Sequence, residues 1–272
     1  MDILKEYLHG DIYFKHHITD TPCDADFLMH IHDTCEVYLF IGGDVEYLVE
    51  GTVCPLQPES VVIIRPFEAH KTKIITPASY ERYVVNFPAS VFESIDPERR
   101  LLHAFFTREN GSNNLYTKDE LGGLELEAMF KDVCYSDEDD YGKQLKIYTL
   151  LIEILDALNS AYSKHSSEDT HKSREAEMVA YVNAHIGEDI TVPKLAEHFY
   201  LSPSQFSRIF KVATGASPWS YITAKRLGTA KERLGLGASV QNAFESSGFG
   251  DYSSFYRAYV KYFGNAPTED AK

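Results

Sequence analysis

Residues 190–211 read ITVPKLAEHFYLSPSQFSRIFK, and residues 239–264 read SVQNAFESSGFGDYSSFYRAYVKYFG. Each stretch holds a short helical pattern, a tight turn and a second helical pattern. The first breaks at Tyr200-Leu201, the second at Gly248. In each, the second helix is apolar on one side and carries hydroxyls and an arginine on the other. Two such helix-turn-helix patterns in series, at about 190–211 and 239–263, predict an all-α C-terminal domain whose second helices fit a DNA major groove.

The residue chemistry supports this. Phe206, Ile209 and Phe210 fall at i, i+3 and i+4, the spacing of a buried helix face. Ser202 and Gln205 form a capping box, and Pro203 takes the first helical position, where its missing N–H costs nothing. Ser204, Ser207, Arg208 and Lys211 are left outward, with Gln205 beside them. Arginine makes paired hydrogen bonds to guanine, serine adapts to several base edges, and lysine suits phosphate. In the second unit Phe255 and Tyr259 repeat the buried i, i+4 pair, leaving Tyr252, Ser253, Tyr256, Arg257 and Lys261 on the open side. Gly248 supplies a turn residue that tolerates positive φ. Between the units, Trp219 to Leu234 reads as one helix, with Tyr221, Ile222, Leu227, Ala230 and Leu234 as its apolar side. Such a helix would hold the reading helices about 34 Å apart, one turn of B-DNA.

A net charge of -15 argues against a nucleic-acid binder until it is divided along the chain. From His171 to Lys272 there are 12 Lys and Arg against 10 Asp and Glu; the rest of the chain holds 14 against 31. The acidity belongs to the first part. The C-terminal part is only weakly basic, so affinity per subunit is expected to be modest and dimerisation needed. No apolar run approaches the roughly 20 residues of a membrane-spanning helix, and no membrane partner is expected. Residues 1–6 lack the order of a signal peptide. Cys23, Cys35, Cys54 and Cys134 show no paired spacing, which fits a reduced, cytoplasmic chain.

Residues from about Tyr13 to Phe87 read as short strands. Val37–Ile41 and Val61–Ile64 are β-branched and aromatic, and Gly42-Gly43-Asp44 reads as a hairpin turn to Val45–Val49. This interval suggests a β-sandwich or small barrel. Helical signals begin near Glu120. Between Gln144 and Tyr162 one apolar line runs Leu145, Tyr148, Ile152, Leu155, Tyr162 and another Ile147, Leu151, Ile154, Leu158. Two stripes need two covers, and the reading favoured here gives one to the barrel and the other to a partner subunit through the 141–162 helix. Residues 163–173 are polar and without period, a linker between a domain at 1–162 and one at 174–272. The predicted class is a two-domain α+β chain: a β-barrel with dimerisation helices, then the all-α domain.

Several motifs in the C-terminal part resemble the DNA-binding domain of the AraC/XylS family of bacterial transcription regulators. They are Leu195-Ala196, Ser207–Lys211, Thr214-Gly215-Ala216-Ser217-Pro218, Tyr221-Ile222, Arg226-Leu227, Ala230, Gly248-Phe249 and Tyr262–Pro267. The resemblance spans 174–267. It implies base contacts from Ser204, Ser207 and Arg208, and from Tyr252, Ser253, Tyr256 and Arg257. Two positions depart from the family. Phe244 stands where a small Ala is usual, and Val260 where a Lys is common.

In the N-terminal part, His30, His32 and Glu36 are evenly spaced, and on a strand would face one side of a sheet; His70 follows on a later strand. Three imidazoles and a carboxylate suit zinc, iron, manganese or nickel. The pattern resembles the two cupin motifs over roughly residues 12–88, which implies a cupin-like jelly-roll barrel. Two readings stay open: a polar floor that hydrogen-bonds a small effector, and a divalent metal centre. The first needs no cofactor and is preferred. Arg65 beside this group suits a carboxylate or sugar hydroxyls. Tyr38, Tyr47, Tyr80 and Tyr83 offer stacking surfaces.

These features imply a DNA-binding regulator, with promoter DNA, a small effector (carbohydrate by family analogy), a second copy and, for an activator, RNA polymerase as partners. Catalytic residues are not expected, because a regulator needs only binding energy that differs between two conformations. The alternatives are a cupin metalloenzyme of isomerase or oxygenase type with an appended DNA-binding domain, and an architectural binder.

Overall fold

A computed structural model describes residues 3–164 and 173–271. The chain divides into two compact units. The first holds residues 1–28, 32–49 and 53–171; the second holds 172–272 with the short segments 29–31 and 50–52. Most of the expected linker, 165–172, lies outside the described residues.

The first unit contains strands β1 (Ile3–His9), β2 (Ile12–Thr19), β3 (Cys35–Gly42), β4 (Val45–Val49), β5 (Thr52–Cys54), β6 (Val61–Ile64), β7 (His70–Ile74), β8 (Tyr80–Phe87) and β9 (Leu115–Tyr116). They form a six-stranded sheet ordered β1-β2-β8-β3-β6-β9 and a three-stranded sheet ordered β5-β4-β7. Helices α1 (His103–Phe106), α2 (Leu126–Tyr135) and α3 (Asp140–Tyr162) follow.

Strand alternation assigns each residue to a layer. On β3, Cys35, Val37 and Leu39 join Phe14, Val61, Ile63 and Val85 in a core shared with Phe130, Leu151 and Leu155 of α2 and α3. Tyr38 and Phe40 face the other way, into a second core with Val45, Tyr47, Val49 and Tyr80. The large sheet is therefore covered by helices on one face and by the small sheet on the other. This explains why β3 lacks a polar face: residues 35–40 are buried on both sides. Each fully buried Val, Leu or Phe in these layers contributes about 1.5–3 kcal/mol.

Two expectations are corrected here. The Gly42-Gly43-Asp44 turn is not a hairpin loop, since β3 pairs with β6 and β8 while β4 pairs with β7 and β5. It carries the chain from one sheet to the other. Gly43 sits at φ 134, and a Cβ there would lie 3.1 Å from the Tyr80 backbone, so the crossover requires glycine. The strand region also begins earlier than Tyr13. β1 pairs with β2 through a two-residue loop, Gly10-Asp11, with His9 opposite Ile12. That Gly-Asp dipeptide was the signal available in the sequence.

The second unit is all helical: α4 (Arg174–Ala184), α5 (Val192–His198), α6 (Pro203–Thr214), α7 (Pro218–Gly235), α8 (Val240–Ser247), α9 (Tyr252–Phe263) and α10 (Pro267–Asp270). α4 is an element the sequence reading passed over. It docks through Tyr181, whose ring stacks on His198 at 3.9 Å and meets Phe199 edge-on at 5.5 Å. Leu227, Ala230 and Leu234 of α7 pack with Ala243, Phe255 and Tyr259 of the second helix-turn-helix.

Candidate nucleic-acid interface and effector site

The start of α6 is set by local chemistry. Ser202 accepts from the Gln205 N–H, and the Gln205 side chain accepts from the Ser202 N–H at 3.1 Å. This closes the capping box and commits the Gln205 carbonyl, leaving its amide NH2 as the outward group. Phe206 and Phe210 are fully buried, their rings 5.6 Å apart, and Phe210 meets Tyr221 of α7 edge-on at 5.2 Å. Ile209 is half-buried. Opposite this anchored face, Ser204, Gln205, Arg208 and Lys211 are exposed and Ser207 is half-buried. The turn before α6 passes through Tyr200, which holds a left-handed backbone (φ 55) and is 96% exposed.

α9 repeats the plan with different parts. Its N-cap is Asp251, which accepts from the Ser254 N–H at 2.8 Å. That bond holds the Asp251 carboxyl below the usual carboxylate range. Phe255 and Tyr259 are fully buried, and the Tyr259 hydroxyl donates to Asp270 at 2.6 Å. Tyr252, Ser253, Tyr256, Arg257 and Lys261 are exposed. The turn needs Gly248: φ is 84, and a Cβ would come within 2.8 Å of the Ile186 carbonyl oxygen. The Arg226 guanidinium closes the same corner, donating to the carbonyls of Ile186 and Glu188 at 2.9 and 2.6 Å. Phe244 is half-buried, with its ring 5.6 Å from those of both Tyr252 and Phe255. The larger side chain is thus taken up by aromatic contacts.

In the barrel, only Glu36 of the first motif lies on a strand. His30 and His32 precede β3, which starts at Cys35, so the expectation that all three share one strand is corrected. A loop brings His32 to Glu36: its Nδ1 lies 3.0 Å from the Thr34 carbonyl oxygen, and the Phe67 N–H donates to the His32 carbonyl at 2.8 Å. His32 Nε2 is 3.2 Å from Glu36 Oε2, and His70 Nε2 is 3.8 Å from that same oxygen. The Tyr47 hydroxyl donates to Glu36 Oε1 at 3.0 Å, and the Asn86 amide to Oε2 at 2.8 Å. His30 is exposed and lies on the 29–31 segment that falls in the second unit, whereas His32 and His70 belong to the first. Burial alone would raise the Glu36 pKa; the hydrogen bond from His32 and the His70 and His32 charges outweigh it and hold the carboxyl well below its ordinary range. Burial opposes charging of His32, but its bond to Glu36 and that carboxylate's charge prevail, so its pKa is raised.

Beyond this group the interior is tyrosine-rich. The Tyr38 and Tyr80 hydroxyls are 2.6 Å apart, and Thr72 Oγ1 is 2.9 Å from Tyr80. Tyr83 instead faces the helices, its ring stacked on His16 at 4.1 Å. Arg65 donates to Asn110 Oδ1 at 2.8 Å and to the Arg108 carbonyl at 3.1 Å, so its guanidinium is engaged by the 108–110 loop. A buried pair the sequence reading missed lies beneath: Arg108 donates to Glu68 Oε1 at 2.6 Å, and both side chains are fully buried. The glutamate in Pro66-Phe67-Glu68-Ala69 was the available signal, but its partner is 40 residues away.

Two family models match the chain: "AraC-like ligand binding domain" over residues 18–155 and "Helix-turn-helix domain" over 195–272. An HTH-type transcriptional regulator of Bacillus subtilis, YobQ, is 36% identical over 243 residues, covering 88% of this chain and 86% of that protein. The melibiose operon regulatory protein of Escherichia coli is 23% identical, covering all of this chain and 90% of its own. ToxT of Vibrio cholerae aligns over 96% of this chain and 97% of its own, with a TM-score of 0.41 and 11% identity. The chain belongs to the AraC family of transcription regulators. It is a DNA-binding regulator with a ligand-binding domain.

Proposed function

We propose that this protein binds promoter DNA as a homodimer through α6 and α9, under control of a sugar or related polar metabolite held in the barrel, and acts in the cytoplasm. The observation that carries the DNA reading is the two-faced construction of α6 and α9. Each buries two aromatic residues completely and leaves an arginine exposed on the other side. The base-reading set is Ser204, Ser207, Arg208, Tyr252, Ser253, Tyr256 and Arg257, with Lys211 and Lys261 suited to phosphate and the Gln205 amide beside them. An activator of this kind would have RNA polymerase as its further partner.

The effector reading rests on hydroxyls and imidazoles lining an interior that is otherwise apolar, the mixture suited to a small polar ligand. The relation to a melibiose operon regulator favours a carbohydrate. A thermal-shift screen of mono- and disaccharides tests it: a ligand at 100 times its Kd stabilises by about 2.7 kcal/mol, and its Tm gain is expected to vanish in Tyr38→Phe/Tyr80→Phe. A screen with no stabilising sugar removes the carbohydrate from the proposal.

Dimerisation through α3 rests on which stripe the fold covers. Ile147, Leu151, Ile154 and Leu158 are buried in the barrel's helical layer, while Tyr141, Leu145 and Ile152 are 68, 50 and 38% exposed. Leu155 of the first line is buried as well, and Tyr148 and Tyr162 pack partly buried against the same core, so Leu145 and Ile152 are the members of that line left exposed. The variant Leu145→Asp/Ile152→Asp is expected to sediment as a folded monomer and to bind promoter DNA more weakly. A dimer that persists in this variant places the interface elsewhere.

A further inference from the structure

The turn between α5 and α6 is strained where the other helix ends of this unit are relaxed. The Tyr200 N–H donates to the Glu197 carbonyl at 3.0 Å, and the Leu201 N–H to the Ala196 carbonyl at 2.9 Å. These two bonds make a Schellman motif with Tyr200 at its left-handed position, where glycine is usual. Tyr200 has φ 55, and among the described residues of 173–271 it is the one non-glycine with positive φ. Helices α6, α8 and α9 close instead on Gly215, Gly248 and Gly264, at φ 70, 84 and 81. A bulky residue in this region crowds its Cβ against the backbone and is disfavoured.

The side chain gives the fold nothing in return. Tyr200 is 96% exposed, and among the described residues its side chain has no hydrogen bond, ion pair or ring contact. Its neighbour Phe199 packs against Tyr181 and Phe206, with ring centroids 5.5 and 6.1 Å away. A strained backbone that holds an aromatic ring in water stabilises nothing in the unbound chain, so the outlier points to a contact made outside it.

Position decides the partner. Tyr200 lies two residues before Ser202, the N-cap of α6. In a helix-turn-helix the first helix crosses the DNA backbone and the N-terminal end of the second meets base edges, so the turn joining them passes the phosphates. A tyrosine hydroxyl is a phosphate donor, and it carries no charge. We propose that Tyr200 is a positioning residue for DNA: its hydroxyl donates to a backbone phosphate beside the site that α6 reads, and so fixes how that helix enters the groove. This rests on the reading of α6 as a DNA-reading helix. A neutral hydrogen bond releases no counterion, which separates its signature from that of a lysine.

Fluorescence anisotropy of the full chain at several salt concentrations gives the test, on a duplex from the region upstream of its own coding sequence and on a scrambled duplex. Tyr200→Phe is expected to weaken both by about 2- to 12-fold and to leave the slope of log K against log salt unchanged. Tyr200→Gly should weaken them at least as much while melting no lower than wild type, because it relieves the left-handed backbone. Full affinity in Tyr200→Phe overturns the proposal. So does a loss confined to the upstream duplex, which would make the contact one to a base. A Tyr200→Gly protein that melts well below wild type shows that the ring braces the fold, and overturns it too. Arg208→Ala measured in parallel tells the two readings apart. Weakened binding there, with full affinity in both Tyr200 variants, removes Tyr200 and leaves α6 in place; full affinity in all three takes α6 out with it.

Discussion

Arg208→Ala is expected to weaken binding to the promoter site by about 5- to 150-fold, the worth of one paired arginine–guanine contact at about 1–3 kcal/mol. The side chain is exposed and the fold does not depend on it: α6 is held by Phe206 and Phe210 beneath and by the Ser202–Gln205 box at its start. A loss of affinity in this variant is therefore a loss of contact. Arg257→Ala on α9 should behave alike. Lys211→Ala should instead weaken specific and scrambled duplexes equally and reduce the slope of log K against log salt by about one. Fluorescence anisotropy on both duplexes at several salt concentrations, with circular dichroism as the fold control, separates the lysine variant from the two arginine variants. Unchanged affinity and specificity in both arginine variants would remove α6 and α9 from the DNA interface.

The second large effect concerns the barrel. Arg108→Met is expected to cost about 3–5 kcal/mol of stability, because it strands a buried carboxylate. Glu68 is held by Arg108, by the N–H groups of Gly111 and Arg65 at 2.9 and 3.1 Å, and by the Asn114 amide at 3.2 Å. Burial would raise its pKa, yet the Arg108 charge and hydrogen bond pull it down to about 2 from a usual value of 4.5. A depressed carboxyl stabilises the fold above its unfolded pKa, and that contribution fades as pH falls through 4.5 toward 2. Wild-type stability should drop over this range by an amount on the order of 3 kcal/mol from this group, while Arg108→Met shows a flatter profile. Glu68→Met/Arg108→Met, which removes both charges, should recover much of the loss. Urea denaturation at pH 7, 4.5 and 3 measures all three. An Arg108→Met protein as stable as wild type at pH 7 would show that losing Arg108 does not strand the Glu68 carboxylate.

The parts of this protein that were legible in its amino acids are those governed by neighbours in the chain. The α6 boundary follows from Ser202, Pro203 and Gln205, and its two-sidedness from Phe206 and Phe210, all within one or two helical turns. The same holds for α9 and for the apolar side of α7, because helical hydrogen bonds and faces repeat every three to four residues. Strand identity was legible too, but pairing was not. Val37–Ile41 and Val45–Val49 read as partners through Gly42-Gly43-Asp44, yet β3 takes β6 and β8 instead. A strand's neighbours are chosen by long-range burial, and β3, apolar on both faces, goes to the middle of the larger sheet.

Tertiary packing alone decided the rest. It covered one stripe of α3 and most of the other, leaving Leu145 and Ile152 outside. It set His32 on a loop and turned its Nε2, with that of His70, onto one oxygen of Glu36. It paired Glu68 with Arg108 across 40 residues and drew Arg65 to Asn110. A capped helix is stabilised by contacts a few residues apart, so its sequence suffices. A site assembled from strand, loop and distant turn exists only once the whole barrel has closed, because only then does burial make the meeting of its charges worth their desolvation.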